Sequence, residues 1–506
     1  MTTPSEKLAA SLAALKSLQD QRIVAIRAKY LTRTHRERLL KTGFIIEVMK
    51  GWYMPARPNE PAGESTTWYT YFWKFCLEYL NERFGAQWCL SPEHSLSLHT
   101  GNWTVPKQLL VRSPKAGNKP TQLLFGTSVF DVRLELPAPS DIEVLEGLRI
   151  MKLSHALLNC APTFFATNPI EVRIALSIIS DSSDLSRQLL SGGHSVVAGR
   201  IAGALRNIGR VKAATDILET MRSAGYAVSE TDPFADKPSI IFATRQTSPD
   251  VNRLRMLWEN MRRPILASFP RAPGLAKYAA VYLKQVDDKY VIDAYNSLSI
   301  EGYQVSEELI GRVRSGNWNP DSMSSDRNHL DALAARGYWQ AFQKVKVSIG
   351  KVLRKQNPGS VAENDHSAWY RELFSPSVAA GLMKATDLAG YRNGPVYIRR
   401  SMHVPPRYEA VRELMPTLFE LLANESEPAV RMVLGHFMFV YIHPYVDGNG
   451  RMGRFLMNVM AASGGYPWTI IPLAKRGIYM TALETASVDQ NIKPFSLFVA
   501  DLVKKK

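Results

Sequence analysis

His443-Pro444-Tyr445-Val446-Asp447-Gly448-Asn449-Gly450-Arg451-Met452-Gly453-Arg454 is the stretch on which the second half of this chain turns. Before it, Ala429 to Ile442 is almost wholly apolar, the pattern of a buried helix. Pro444 disfavours helical backbone at His443 and so ends that helix there. After it, Arg451 to Met460 reads as another buried helix. The Asp, Gly, Asn and Gly between them bend sharply and let backbone approach a ligand closely. The predicted order is helix, tight glycine loop, helix N-terminus, where unpaired N–H groups and the positive dipole end form an anion site.

Each side chain has a use if the anion is a nucleotide triphosphate. Arg451 and Arg454 lie three apart on one helical face and can fork onto phosphate oxygens. Asp447 is a hard oxygen ligand, placed to hold Mg²⁺ against those phosphates. His443 titrates near neutrality and can take a proton from an attacking hydroxyl. Loop amides would stabilise charge on the α-phosphoryl group. This chemistry is nucleotidyl transfer to a hydroxyl. Gly448-x-Gly450-x-x-Gly453 is formally a dinucleotide fingerprint, but that motif wants a strand running into its first glycine and an acid about twenty residues on. Here His443 to Asp447 intervene, and residues 466–483 contain no acid. A bare glycine turn between core helices would leave His443, Asp447, Arg451 and Arg454 packed without purpose, which is costly.

The loop resembles the Fic motif, HPFx(D/E)GNGRxxR, and departs from it only at the third position, where Tyr445 replaces Phe. The resemblance extends over residues 283–506. It implies a protein adenylyltransferase that moves AMP from ATP to a Ser, Thr or Tyr hydroxyl of a target protein and releases pyrophosphate. By matching positions, His443 is the base and Asp447 the Mg²⁺ ligand. Gly448, Asn449 and Gly450 form the anion hole, Arg451 and Arg454 meet the phosphates, and Gly453 completes the nucleotide-binding set. The Tyr445 ring is expected to pack beneath the loop. Tyr391-Arg392 and Pro395-Val396-Tyr397-Ile398, ahead of Pro405-Pro406, resemble the hairpin flap that aligns a target by strand addition. Tyr479 stands where the family offers an aromatic for the base pocket, although an ordinary core tyrosine fits that position equally. Ser487 stands where some relatives have asparagine.

Upstream, Ser297-Leu298-Ser299-Ile300-Glu301-Gly302 matches the family's inhibitory motif (S/T)xxxE(G/N), in the order of members whose inhibitory helix precedes the Fic core. The resemblance implies that Ser297 and Glu301 are inhibitory and that Glu301 pairs with Arg454 and blocks the γ-phosphate pose. Read alone, the segment is a helix end with Gly302 as its cap.

From residue 283 onward the pattern is mainly helical, with long amphipathic stretches such as Asp331 to Leu353 and Arg407 to Leu422. Its one clear β signal is Pro395 to Ile398. The expected division is an inhibitory helix segment over 283–320 and a Fic domain over 321–506, all-α with a short β-hairpin flap. Residues 226–282, rich in proline and mixed charge, read as a connecting region. Residues 59–225 read as a mixed α/β domain, with β-type runs at Gln122 to Phe125 and Val129 to Leu136 and a helical pattern at Glu143 to Leu157. The whole chain is therefore mainly α.

Residues 1–58 carry eleven basic and four acidic side chains. Leu8, Leu12, Leu15 and Leu18 mark one helix, and Ile23 to Tyr30 a second. A third follows a Thr32 or Thr34 cap and shows Arg33, His35, Arg36 and Arg38 outward, with Leu39 and Leu40 inward. Phe44 to Val48 and Trp52 to Met54 then form a β-ribbon around Met49-Lys50-Gly51. That order is a winged helix-turn-helix, whose third helix enters the major groove and whose wing lies along phosphates. Arg33, Arg36, Arg38 and Lys50 are the DNA-binding candidates. The segment resembles the winged-helix antitoxin of bacterial abortive-infection toxin–antitoxin systems, through Leu39-Leu40-Lys41-Thr42-Gly43 and Lys50-Gly51-Trp52-Tyr53; residues 59–225 resemble the body of that family.

Composition narrows the rest. The 506 residues are 45% apolar and 21% charged, an ordinary globular balance with a net charge of +16 that favours polyanions. Cys76, Cys89 and Cys160 form no CxxC pair, which points to a reducing cytoplasm and away from structural zinc. No apolar run is long enough to span a bilayer, and the N-terminus lacks an apolar secretory core. The expected partners are ATP, Mg²⁺, a hydroxyl-bearing target protein, duplex DNA and a second copy of the chain as a homodimer. The alternative function is a DNA-binding regulator whose Fic domain senses nucleotide or removes AMP; transfer of UMP or phosphate is a third.

Overall fold

The computed structural model describes residues 3–58, 63–179, 181–234, 248–317 and 329–504. It divides into two compact units, Met1–Pro249 with Tyr397–Val404, and Asp250–Val396 with Pro405–Lys506. The expected boundary between residues 320 and 321 lies outside the described residues, as does 235–247 of the expected connecting region.

The first unit opens with α1 (Pro4–Asp20), started by a reciprocal cap in which Thr3 Oγ1 accepts from Glu6 N and Glu6 Oε2 accepts from Thr3 N. β1 (Ile26–Arg27) and a 3₁₀ turn over Ala28–Tyr30 replace the helix expected at Ile23 to Tyr30. The N–H groups of Val24 and Ala25 go to Glu78 Oε2, and Ile26 pairs with Tyr53, so this segment's donors serve a carboxylate and a sheet. α2 (Arg33–Lys41) comes next, capped by Thr32 Oγ1 accepting from His35 N. β2 (Ile45–Met49) and β3 (Trp52–Pro55) form the expected hairpin, and β1 completes a sheet of order β1-β3-β2.

These elements do not stand apart from the rest of the first unit. Trp52 meets Phe75 and Tyr79 edge-on, and both rings lie on α3 (Thr66–Phe84). Residues 1–58 close a small core around Leu15, Ile26, Leu39, Ile45 and Tyr53, and through Val48, Trp52 and Met54 they also join the core of the residues beyond 59.

A four-stranded sheet comes next, with β4 (Cys89–Leu90), helix α4 (Pro92–His99), β5 (Gln108–Ser113), β6 (Pro120–Gln122) and β7 (Ser128–Arg133) in the order β4-β5-β7-β6. The helical pattern expected at Glu143 to Leu157 is instead a hairpin, β8 (Ile142–Leu145) and β9 (Leu148–Met151), followed by α5 (Leu153–Asn159). Its two-residue turn, Glu146-Gly147, has φ of 52° and 87°, the doubly left-handed geometry that suits the twist of a tight hairpin. Five further helices, α6 (Pro162–Thr167), α7 (Pro169–Ile178), α8 (Ser183–Gly192), α9 (Ser195–Asn207) and α10 (Val211–Ser223), build an apolar core that also takes in α5, Leu96 of α4 and Met151 of β9.

The second unit begins inside the expected connecting region. α11 (Pro249–Ser268) buries Val251, Leu254, Leu257, Trp258, Met261 and Ile265, a helical stripe that its charged neighbours mask in the sequence. Then come α12 (Ala279–Ile300), α13 (Glu307–Ser315), α14 (His329–Leu353), α15 (Pro358–Ala379), α16 (Tyr408–Asn424), α17 (Pro428–Ile442), α18 (Asn449–Ser463), α19 (Arg476–Val488) and α20 (Lys493–Lys504). Among the described residues this unit has no strand. The β signal at Pro395 to Ile398 forms none, and Tyr397–Val404 packs within the first unit, where Met402 O accepts from Val105 N and Glu64 Oε2 accepts from Arg399 and Arg400. At the centre of the second unit, α17 and α18 pack against each other and are buried along nearly their whole length.

Candidate functional site

α17 ends where the sequence places its end. His443 N still donates to Phe439 O, but the residue itself is left-handed, with φ 53° and ψ 59°, so the chain turns out of the helix at that point. His443 Nδ1 lies 3.1 Å from Val440 O. A carbonyl only accepts, so Nδ1 carries the proton and Nε2 keeps its lone pair. Burial first, and then the Arg392 cation, push this imidazole down to about 4, against the Val440 carbonyl, Glu301 and Asp447, which pull the other way. The side chain is neutral at physiological pH, as a proton acceptor must be.

The loop is held from beneath. Tyr445 is buried and stacks on Tyr370 with ring centroids 3.7 Å apart and planes 7° apart. The expectation that this ring packs beneath the loop holds, and no sequence signal marks Tyr370 as its partner. Asn449 spends its side chain on the loop: its Oδ1 accepts from Tyr445 N at 2.9 Å and its Nδ2 donates to Tyr445 O at 2.8 Å. Gly448 caps α18 with φ 80°, and a Cβ there would stand 2.7 Å from the Phe374 ring. Left-handed backbone and a close aromatic together exclude any side chain at that position. The first-turn N–H groups of Asn449, Gly450 and Arg451 have no acceptor within the helix, which leaves them for an anion.

The two arginines differ. Arg451 is buried, its guanidinium lying 5.1 Å from the Tyr303 ring centroid and 4.9 Å from that of Phe374, with Nη2 3.3 Å from Asp447 Oδ2. It braces Asp447, whose side chain is 62% exposed and whose Oδ1 accepts from Gly448 N. Arg454 is aimed at α12. Its Nε donates to Ser297 Oγ at 2.9 Å, and Nη2 donates to Ser297 O at 3.0 Å and to Glu301 Oε1 at 2.7 Å. Burial favours the uncharged Glu301, but the Arg454 and Arg451 cations outweigh it and hold the carboxyl below its ordinary value. The pair sits close against the loop, for a Cβ at Gly450 would stand 2.3 Å from Glu301 Oε1. Glu301 caps the end of α12, and Gly302 turns the chain away with φ 98°. Two turns before Glu301, Asp293 accepts from Tyr338 OH at 2.7 Å, and burial lifts that carboxyl to about 6.

Among the described residues no group of three or more His, Cys, Asp or Glu could hold a metal ion. Asp447 by itself fits a cation shared with phosphate oxygens, the usual manner of Mg²⁺. Gly453 is a packing glycine, since a Cβ would come within 3.0 Å of Val440 Cγ2 and 3.3 Å of His436 Nδ1. Tyr479, which the sequence offers equally for a base pocket or for the core, is enclosed. It is 1% exposed, its hydroxyl lies 2.8 Å from His436 Nε2, and Phe495 and Phe498 flank its ring. Arg392, read from sequence only as part of a flap, is buried against the loop itself, with Nε donating to His443 O at 2.8 Å.

The DNA-binding candidates separate as well. Arg33 is 83% exposed on its side chain and pairs with Glu37, and Lys50 is exposed at the hairpin turn. Arg36 donates to Ala28 O and lies over the Tyr53 ring. Arg38 donates to Lys7 O and Ser11 Oγ. Both are spent holding α1, α2 and the sheet together.

Residues 363–461 match the model of the Fic/DOC family. The chain is 38% identical over 275 residues to a "Protein adenylyltransferase Fic" of Drosophila virilis, covering 52% of this chain and 51% of that protein. It is 37% identical over 275 residues to the protein of the same name from Drosophila willistoni, covering 52% and 49%. The chain thus spans about half the length of these curated relatives. A solved chain of Fic-1 from C. elegans shares 17% identity at a TM-score of 0.37, covering 69% of this chain and 88% of that one.

Proposed function

We propose that this protein is a Fic-type nucleotidyltransferase that moves AMP from ATP to a Ser, Thr or Tyr hydroxyl of a target protein. The observation that carries this reading is the loop: a neutral histidine with a free Nε2 at the end of α17, beside an open helix N-terminus whose arginine is held by a removable carboxylate. Phosphate oxygens take the N–H groups of Asn449, Gly450 and Arg451, and Arg454 meets the outermost phosphate once Glu301 has left it. The target hydroxyl gives its proton to His443 Nε2, its oxygen bonds to the α-phosphorus, and the bond to the pyrophosphate oxygen breaks. Asp447, braced by Arg451, would hold a Mg²⁺ ion, which supplies charge neutralisation to the phosphates when bound.

Glu301 makes the resting protein self-inhibited, because its carboxylate and the γ-phosphate compete for one guanidinium. The same carboxylate, 29% exposed on its side chain, also favours the second reading, in which Glu301 orients a water that removes AMP from a modified protein. The N-terminal elements act as a winged-helix module that binds duplex DNA through Arg33 and Lys50, in the manner of an antitoxin. Among the described residues no helix is long and apolar enough to cross a membrane, and we place the protein in the cytoplasm. The deciding experiment incubates the Glu301→Gly protein with ATP labelled on its α-phosphate and Mg²⁺, then finds the labelled residues by mass spectrometry. Absence of any protein-bound AMP defeats the transferase reading.

A further inference from the structure

The last carbonyls of a helix lack intrahelical donors, and at the end of α17 they are distributed with unusual economy. Phe439 O takes His443 N, and Val440 O takes the His443 ring. His443 O takes Arg392 Nε at 2.8 Å, and Ile442 O lies 3.4 Å from Arg392 Nη2. The same guanidinium donates from Nη1 to Gly394 O at 3.0 Å and from Nη2 to Pro406 O, while Arg392 N donates to Pro444 O at 2.9 Å. One side chain therefore bonds carbonyls at four places: the final turn of the helix, the histidine itself, and two points twelve residues apart that bracket the segment read from sequence as a flap.

Satisfying helix-end carbonyls stabilises the end of α17, but here a buried cation does it. The side chain is 2% exposed, and its hydrogen bonds among the described residues go to neutral carbonyls. Burial accordingly pushes its pKa down to about 10, with the Glu409 charge opposing. A buried cation without a bonded carboxylate is costly to keep. What it secures is a histidine in left-handed backbone, a conformation uncommon for non-glycine residues. Only a planar fork with donors on three nitrogens reaches carbonyls in this arrangement; an ammonium offers its donors from a single point.

We propose that Arg392 is a positioning residue for transfer, holding the His443 backbone so that Nε2 faces the attacking hydroxyl, and tying that position to both ends of the segment between Gly394 and Pro406. This rests on the adenylyl-transfer reading above. It assigns Arg392 no contact with ATP, and so separates the rate of transfer from nucleotide binding.

The test uses the full chain carrying Glu301→Gly, and follows self-labelling with α-labelled ATP across a range of ATP concentrations. Arg392→Ala should lower the maximal rate on the order of 10²-fold, the scale expected when a reacting group is displaced by about 1 Å. Arg392→Lys, which keeps the charge but not the fork, should still lose about tenfold. In both, the half-saturating ATP concentration stays within about twofold, and millimolar ethylguanidinium restores part of the rate to Arg392→Ala but none to His443→Ala. A maximal rate within twofold of the parent in either folded variant overturns the proposal. So does a loss of ATP saturation that parallels the loss of rate, or rescue that fails in a folded Arg392→Ala protein. If Arg392→Ala does not fold, the Lys variant decides on rate and saturation alone. No labelling by the Glu301→Gly parent, of itself or of any protein in a bacterial extract, would sink the transfer reading first and this role with it.

Discussion

The loop at His443 to Arg454 and the basic segment at Arg33 to Lys50 are both marked by short runs of charged residues, yet the folded chain treats them in opposite ways. In the loop, nearly every polar side chain keeps a distinct role: Asn449 closes the turn, Arg451 braces Asp447, and Arg454 reaches α12. In the N-terminal segment, two of the four cations turn inward and become fasteners for α1, α2 and the hairpin, leaving Arg33 and Lys50 outside. A count of charges measures a field, and a field does not say which charges are already taken. Spacing that demands several different chemistries at once is harder to satisfy by accident.

The sharpest way to break the comparison is at His443. His443→Ala should lower AMP transfer by ~10²–10⁴-fold, the usual cost of removing a general base, while ATP affinity measured by calorimetry changes little. Transfer in that variant within tenfold of the parent would strip the loop of its catalytic reading. The same residue fixes a pH dependence. Its folded pKa is depressed to about 4, so the proton acceptor is present above that value and lost as pH falls through it. The acid limb of the transfer rate should therefore lie near 4 and not near the ~6.5 of free imidazole. The depressed value also makes this group's contribution to folding favourable above the unfolded pKa of ~6.5 and progressively lost as pH falls toward 4, because the unfolded chain binds the extra proton first.

Next in size is the pair that ties the loop to α12. Removing one partner of a buried ion pair costs ~3–5 kcal/mol, but Glu301 is 29% exposed on its side chain and the effect must be discounted. A shift of ~1–2 kcal/mol changes a population about 5–30-fold. Glu301→Gly should raise AMP transfer by that factor at sub-saturating ATP. Assaying removal of AMP from a pre-modified sample with the same protein separates the two readings of Glu301. Loss of removal along with gain of transfer would give the carboxylate both tasks, whereas no change in either would leave Ser297 to Gly302 a plain helix end.

How much is legible in the sequence depends on how local each cause is. The helix–loop–helix, the helix end at His443, the meeting of Glu301 with Arg454 and the burial of Tyr445 all lie in short motifs whose residue types have few alternative uses. The hairpin at Ile142 to Met151 passes for helix because its apolar residues fit either period, and the Glu146-Gly147 turn that settles it spans two residues. α11 is hidden by proline and charge, although its buried stripe is regular. Pro395 to Ile398 has β-type residues, but Tyr397 to Val404 finds its hydrogen bonds with Thr66, Glu64 and Val105, more than 290 residues away in sequence, which no local pattern reveals. Arg392 and Tyr370 escape for the same reason. Their partners are backbone carbonyls and a ring brought in by the fold.

The smallest expected effect lies in the N-terminal segment, and it tests the lesson directly. If Arg33 and Lys50 meet phosphates, the affinity of the full chain for its own promoter duplex should fall steeply with salt, and each of Arg33→Ala and Lys50→Ala should reduce the slope of log K against log salt by ~1. Arg36→Ala and Arg38→Ala should behave differently. Arg36 loses a bond to Ala28 O and a place over Tyr53, and Arg38 loses bonds to Lys7 O and Ser11 Oγ, so each should cost about 1 kcal/mol of stability. A thermal melt of the four variants beside a salt titration sorts them. Equal salt slopes for all four, with unchanged melting at Arg36 and Arg38, would mean that the inward contacts of those two arginines carry no weight and that charge count was the better guide after all.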